Sequence, residues 1–208
     1  MIKCIIFDCD GTLVDSEYLC NLGFELKLRE YGVNVAARDI MEKHVGGKLA
    51  TIMQSFESEY QIKLKADFVS SYRDLVEVLF KESLAPCEGV PEMLAEIDLP
   101  RCVASNGPIE KINMALSLSG LSDYFNGHIF SAYDVGSWKP DPGLFLNAAK
   151  VMGFKPEECA VVEDSLVGLA AAKSAGMFTV LYDPQNIHRS VQNTCKISHM
   201  NQLRNTIS

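Results

Sequence analysis

The hydrophobic pattern begins with a short, wholly apolar run, Cys4-Ile5-Ile6-Phe7, that stops abruptly at Asp8. A run with no polar alternation predicts a strand buried on both faces of a parallel sheet. After Asp15 the period becomes helical: Leu19, Leu22 and Leu26 share a face, Glu25 and Arg29 pair at i,i+4, and Gly32 is placed to end the helix. Two further helical stripes come next, Ile52, Met53, Phe56 and Tyr60, then Phe68, Tyr72, Leu75, Val76, Leu79 and Phe80. Beyond Pro86, strands and helices alternate: helix 90–97, strand 101–105, helix 108–119, strand 128–131, helix 142–152, strand 159–163, helix 165–175 and strand 178–182. Strands separated by helices imply a parallel sheet with right-handed crossovers. The fold class expected is therefore α/β, a Rossmann-like parallel five-stranded sheet with an inserted all-helical cap. Residues 1–15 and 85–208 would form the core and residues 16–84 the cap, while the polar tail could add one last short element at 197–203.

A chain of 208 residues suits one core domain plus an insertion. Its formal charge of −8 argues against nucleic acid or an anionic membrane as partner, since either needs a basic face. The seven cysteines form no CxxC or Cys/His cluster, and free thiols point to a reducing compartment. The chain enters its first strand directly after Met1-Ile2-Lys3, and no run of about 18 apolar residues offers a membrane span. A cytoplasmic monomer is the expectation.

Four stretches at strand exits carry polar residues. The first is Asp8-x-Asp10-Gly11-Thr12, and the second is Ser105-Asn106-Gly107-Pro108, where a small hydroxyl, backbone amides and a helix start make an anion site. The third is Lys139-Pro140-Asp141-Pro142, and the fourth is Glu163-Asp164-Ser165. Singly each has an ordinary reading: Asp141 and Ser165 suit N-caps, and Asp-x-Asp suits a turn. An EF-hand is excluded, because Leu13 replaces the loop glycine and a strand, not a helix, precedes the acids. Taken together, in order, they are too many for loop decoration.

With these four motifs in this order, the chain resembles the haloacid dehalogenase superfamily of phosphotransferases. The resemblance implies a central first strand flanked by the second and fourth, with a helical cap inserted after the first motif. Asp8, Asp10, Glu163 and Asp164 then stand against Lys139 alone. Two unit charges 4 Å apart interact by about 4 kcal/mol at an effective dielectric of 20, so the cluster needs a cation. Oxygen ligands beside a phosphate suit Mg²⁺. By resemblance Asp8, the main-chain carbonyl of Asp10 and Asp164 would hold it, with Glu163 in support. Asp8 would be the nucleophile on phosphorus and Asp10 the proton donor and acceptor. Ser105, Asn106, Gly107 and Lys139 would hold the phosphoryl oxygens.

Within the superfamily, Asp15-Ser16-Glu17 and Trp138-Lys139-Pro140-Asp141-Pro142 resemble the β-phosphoglucomutase subgroup, and the strings 15–20 and 105–108 resemble phosphogluconate and sugar-phosphate phosphatases. The function this implies is a Mg²⁺-dependent phosphatase of a small phosphorylated sugar or sugar acid, 6-phosphogluconate among the candidates. Cap residues set specificity in this family, and the loop 43–48 offers Gly47 and Lys48 to the substrate. A sugar-phosphate mutase is the nearest rival. That branch carries a histidine in the first cap helix, where this chain has Cys20. A phospho-receiver signalling domain shares the acids, hydroxyl and lysine, but its lysine comes after the acidic pairs, whereas Lys139 precedes Glu163-Asp164. A metal-free dehalogenase is disfavoured by the presence of Asp10.

Overall fold

The run 4–7 forms strand β1 (Cys4–Phe7), every residue of it buried. The computed structural model describes residues 1–44, 49–192 and 194–207. The chain divides into two units, Met1–Val14 with Ala85–Ser208, and Asp15–Leu84 between them.

Among its described residues the inserted unit has helices and no strand: α1 (Glu17–Arg29), α2 (Ala37–Lys43), α3 (Leu49–Tyr60) and α4 (Phe68–Ser83). The buried stripe of α1 is Leu19, Gly23, Phe24 and Leu28, while Leu22 and Leu26, expected on the covered face, are only partly buried. Gly23 explains the rotation. A Cβ there would lie 2.8 Å from Val76 Cγ2 and 3.1 Å from Tyr72 Cε2, so the missing side chain lets α4 approach at this point. Phe24 then stacks on Tyr72 at 4.4 Å and meets Phe56 edge-on at 5.3 Å. Glu25 pairs with Arg29 and also accepts the Ala37 amide at 2.7 Å, which anchors the start of α2, a helix too short for the periodicity to announce.

The other unit continues as α5 (Val90–Glu96), β2 (Arg101–Ser105), α6 (Ile109–Leu118), β3 (Ile129–Ser131), α7 (Ala132–Val135) and α8 (Gly143–Met152). It ends with β4 (Cys159–Glu163), α9 (Leu166–Ser174), β5 (Phe178–Tyr182), β6 (Cys195–Ile197) and α10 (Leu203–Thr206). All strands are parallel, in the order β3-β2-β1-β4-β5-β6. The sheet thus has six strands rather than the expected five. β6 escapes the apolar-run criterion because it is an edge strand that buries only Ile197, leaving Cys195 and Lys196 exposed. It is tied to β5 by backbone pairing, extended by the Asp183 amide donating to the Ile197 carbonyl at 2.8 Å.

Both faces of the central strands are covered. Cys4, Ile6, Cys102, Ala104, Cys159 and Val161 pack with Leu144, Phe145, Ala148 and Ala149 of α8 and with Ala171 and Ala172 of α9. The alternate residues Ile5, Phe7, Val103 and Val162 are equally buried, and Phe7 meets Phe125 edge-on at 6.1 Å. Register determines which residues meet where the strands end. Phe7 is level with Val103 and Val162, so Asp8 leaves β1 beside Glu163 of β4, its amide donating to the Val162 carbonyl at 3.0 Å. Among the described residues no helix is long and apolar enough to cross a membrane.

Ile6 lies fully buried in the central strand, so Ile6→Ala removes apolar contacts and leaves a cavity between β1 and its helices. The expected loss is about 2–5 kcal/mol in urea unfolding. A loss under about 1 kcal/mol would show that this face of the sheet collapses freely around a void.

Candidate active site

The loops after β1, β2 and β4 carry three of the four polar stretches, at the strand ends where open α/β sheets bind ligands. Lys139, expected at a strand exit, instead lies in the loop between α7 and α8, because β3 ends at Ser131 and a short helix follows it. The organiser of these loops is Lys139. This lysine is 3% exposed, and its ammonium donates to Asp8 Oδ1 at 2.5 Å and to Glu163 Oε1 at 2.6 Å. Beneath it lies the ring of Phe145 from α8, 4.9 Å from Nζ. The Lys139–Pro140 peptide is cis.

Each partner is held from a second side. Glu163 Oε2 accepts from the Ser165 amide at 2.8 Å and from its hydroxyl at 2.7 Å. Ser165 also caps α9, its Oγ accepting the Gly168 amide at 3.0 Å, so the N-cap expected there forms and serves the acid as well. Asp141 makes no such cap: α8 begins after Pro142 without a side-chain partner. Thr12, fully buried, donates to Asp164 Oδ1 at 2.9 Å. Two glycines make room for these acids. A Cβ on Gly11, whose φ is +77°, would sit 2.3 Å from Asp164 Oδ2, and one on Gly168 would sit 1.9 Å from Glu163 Oε1.

Asp8, Glu163 and Asp164 each offer an oxygen within 4.8 Å of the others, a separation suited to sharing one cation. Asp10 stands apart from this trio. Its carboxylate accepts two hydrogen bonds from the Lys111 ammonium, at 2.8 and 2.9 Å. Lys111 has no place in the four motifs. A signal was available, because a lysine in the first turn of α6 opposes the helix dipole and needs a compensating partner.

In the second loop the Ser105 hydroxyl, 2% exposed, accepts from the Gly107 amide at 3.2 Å, and Ser131 donates to the Gly107 carbonyl at 2.7 Å. The Asn106 side chain binds the backbone of Lys139 in both directions, accepting from its amide at 2.9 Å and donating to its carbonyl at 3.4 Å. Asn106 is therefore a brace between two loops. Gly47 and Lys48, expected to meet substrate, lie outside the described residues.

Burial pushes Asp8 up to about 7, with Glu163 adding to the rise, and the attraction of Lys139 offsets only part of it. Burial alone would lower Lys139, but Asp8 and Glu163 outweigh it and hold the ammonium well above its ordinary range. The two directions agree in meaning: Lys139 stays charged, and one cation is too little for the carboxylates around it. Cys9, between Asp8 and Asp10, is pushed up by burial and then by both acids, so its thiol stays protonated and is no rival nucleophile.

A family model described as haloacid dehalogenase-like hydrolase matches residues 2–176. The chain is 35% identical over 208 residues to 6-phosphogluconate phosphatase of Escherichia coli (strain K12), covering 97% of this chain and 94% of that protein. Phosphoglycolate phosphatase of Aquifex aeolicus (strain VF5) is 27% identical, over 86% of this chain and 84% of that protein. Among solved structures, a haloacid dehalogenase-like protein of unknown function from Agrobacterium tumefaciens superposes with a TM-score of 0.87 at 32% identity, covering 100% of this chain and 98% of that one.

The raised Asp8 makes stability depend on pH. An ordinary carboxyl releases its proton near 3.8, whereas folded Asp8 keeps it to about 7. The folded state therefore binds more protons than the unfolded chain between these values, and stability falls as pH rises through the window. In chelator, the melting temperature of the wild type should drop relative to that of Asp8→Asn between about pH 5 and about pH 8, leaving the variant the more stable at the upper end. Parallel melting curves across that range would show that burial does not control this carboxylate.

Proposed function

The chain belongs to the haloacid dehalogenase-like hydrolases and is a phosphatase of that family, and on this premise we propose that it hydrolyses a small phosphorylated sugar or sugar acid, 6-phosphogluconate foremost, through an aspartyl-phosphate on Asp8. The observation that carries the reading is the buried Lys139 bridging Asp8 and Glu163, with Asp164 close enough to share a cation. A carboxyl pinned at a strand end and raised by burial would be kept ionised, and so nucleophilic, by the positive charge of a divalent ion beside it.

The donor set suits Mg²⁺. All candidate ligands are hard oxygens, and the Asp164 carboxylate fits where it does because residue 11 lacks a Cβ that would lie 2.3 Å from its Oδ2. Asp8 and Asp164 would hold the ion with the main-chain carbonyl of Asp10. Both Glu163 oxygens already accept hydrogen bonds, which fits it for support. Bound there, a divalent ion would supply the positive charge that neutralises Asp8 and the phosphate.

The chain's own groups then divide the work. The Asp8 carboxylate attacks phosphorus as the ester P–O bond breaks, and Asp10 gives the leaving alkoxide its proton. Asp10 next takes a proton from water, whose oxygen attacks the aspartyl-phosphate, releasing inorganic phosphate and restoring Asp8. Ser105 and the amides of Asn106 and Gly107 hold the phosphoryl oxygens, and Lys139 keeps Asp8 in line and offsets its charge. 6-Phosphogluconate and phosphoglycolate, named for two relatives, are both phosphate monoesters that carry a carboxylate. That supports an anionic sugar-acid phosphate as substrate class. Seven free cysteines suit a cytoplasmic enzyme, and we take it to act as a monomer.

Asp8→Asn should leave less than about 1% of phosphate release from 6-phosphogluconate, because the near-isosteric amide cannot act as nucleophile. Activity above a few per cent in a pure sample would rule out the covalent route. EDTA should abolish turnover and Mg²⁺ restore it, with Asp164→Ala raising the Mg²⁺ needed for half-activity by about 10- to 100-fold. Undiminished turnover in chelator would refute the metal. Given glucose 1-phosphate with a trace of the 1,6-bisphosphate, the enzyme should release inorganic phosphate faster than it makes glucose 6-phosphate; the reverse order would select the mutase.

A further inference from the structure

We propose that Lys111 is a positioning residue for Asp10, fixing the orientation of the carboxylate that handles the proton at the leaving group. The inference rests on the phosphatase reading above and adds to it a residue outside the four motifs. The backbone of Asp10 is already fixed: it bridges Val14, and the next amide, Gly11, donates to the Val14 carbonyl at 2.9 Å. What remains to be set is the side chain, whose two torsions decide where each oxygen points. Lys111 Nζ sets them by reaching both oxygens at once, at 2.8 and 2.9 Å.

The path of the lysine links this carboxylate to the phosphate-holding loop. Lys111 sits in the first turn of α6, directly after Ser105-Asn106-Gly107-Pro108. Its stem passes Gly107, where a Cβ would lie 3.8 Å from Lys111 Cδ. One helix start thus places the Ser105 loop and, through Lys111, the Asp10 carboxylate. The helix dipole disfavours a cation there, and Asp10 supplies the compensating charge.

The pair's exposure separates this role from a structural one. The side chains of Lys111 and Asp10 are 28% and 29% exposed, and pairs open to solvent contribute little to stability. The cost of losing Lys111 therefore falls on the reaction. A leaving-group oxygen that must come within hydrogen-bond reach of Asp10 tolerates little error, since a misplacement of about 1 Å can cost on the order of 100-fold in rate.

The test compares Lys111→Met and Lys111→Arg with the wild type in Mg²⁺ on three esters: 6-phosphogluconate, sorbitol 6-phosphate with its uncharged tail, and p-nitrophenyl phosphate. Sugar alkoxides need a proton to leave, whereas p-nitrophenolate leaves without one. For Lys111→Met, kcat/KM should fall by about 100-fold on both sugar esters and by under about threefold on p-nitrophenyl phosphate. Lys111→Arg, which keeps paired N–H donors, should recover the sugar esters to within about tenfold of wild type. Equal losses on all three esters would reduce Lys111 to a structural contact, and unchanged rates on all three would remove any role. A loss confined to 6-phosphogluconate and expressed in KM would make Lys111 a binder of the substrate carboxylate. Each of these results overturns the proposal while leaving the phosphatase reading intact. A wild type that releases phosphate from none of the three esters would overturn that reading, and this inference with it.

Discussion

A single buried ammonium constrains the strand ends of this protein. Lys139, almost wholly out of solvent, is bonded to Asp8 at the end of β1 and to Glu163 at the end of β4. A buried charge without a partner costs several kcal/mol, so Lys139 needs carboxylates beside it, and Asp8 and Glu163 each gain from the ammonium. The requirement reaches into the sheet. β1 and β4 must pair in the register that sets Phe7 level with Val162, or Asp8 and Glu163 could not meet one lysine. Phe145, packed in the core beneath the ammonium, ties the arrangement to α8.

Around that point the loops are held by side chain to backbone contacts and short side-chain bonds rather than by long-range charge. Asn106 clamps the main chain of Lys139, Ser131 holds the Gly107 carbonyl, Ser165 holds Glu163, and Thr12 holds Asp164. Charged groups kept at fixed positions need little reorganisation when charge develops near them, which is the main source of catalysis in phosphoryl transfer. Two glycines matter for a steric reason, since at Gly11 and Gly168 the acid occupies the space a Cβ would fill.

The charges of the buried cluster do not balance. One lysine faces three carboxylates that can converge on a cation, and burial pushes Asp8 toward its neutral form. Such a site favours added positive charge. The Lys111–Asp10 pair, by contrast, is partly open to water. The two aspartates, two residues apart in the chain, thus sit in different surroundings, Asp8 buried and Asp10 part-exposed.

Local pattern was enough to find the strands of the core, because residues buried on both faces must be apolar without interruption, as in Cys4–Phe7 and Cys159–Glu163 up to its final acid. Asp8 and Glu163 were legible for the same reason, since an acid at the end of such a run stands out. Where burial is one-sided or depends on a distant neighbour, the sequence is silent. β6 needs only Ile197 to be covered, α1 turns its stripe to where Gly23 admits α4, and the hold of the Asn106 side chain on the Lys139 backbone is visible only once the two loops are brought together. Lys111 is the clearest case. Asp10 lies 101 residues away in the chain, and only the parallel register of the strands brings the start of α6 to the end of β1. Sequence determined which segments are buried and which residues carry charge; tertiary structure decided which charges meet, since that depends on distances that chain spacing does not encode.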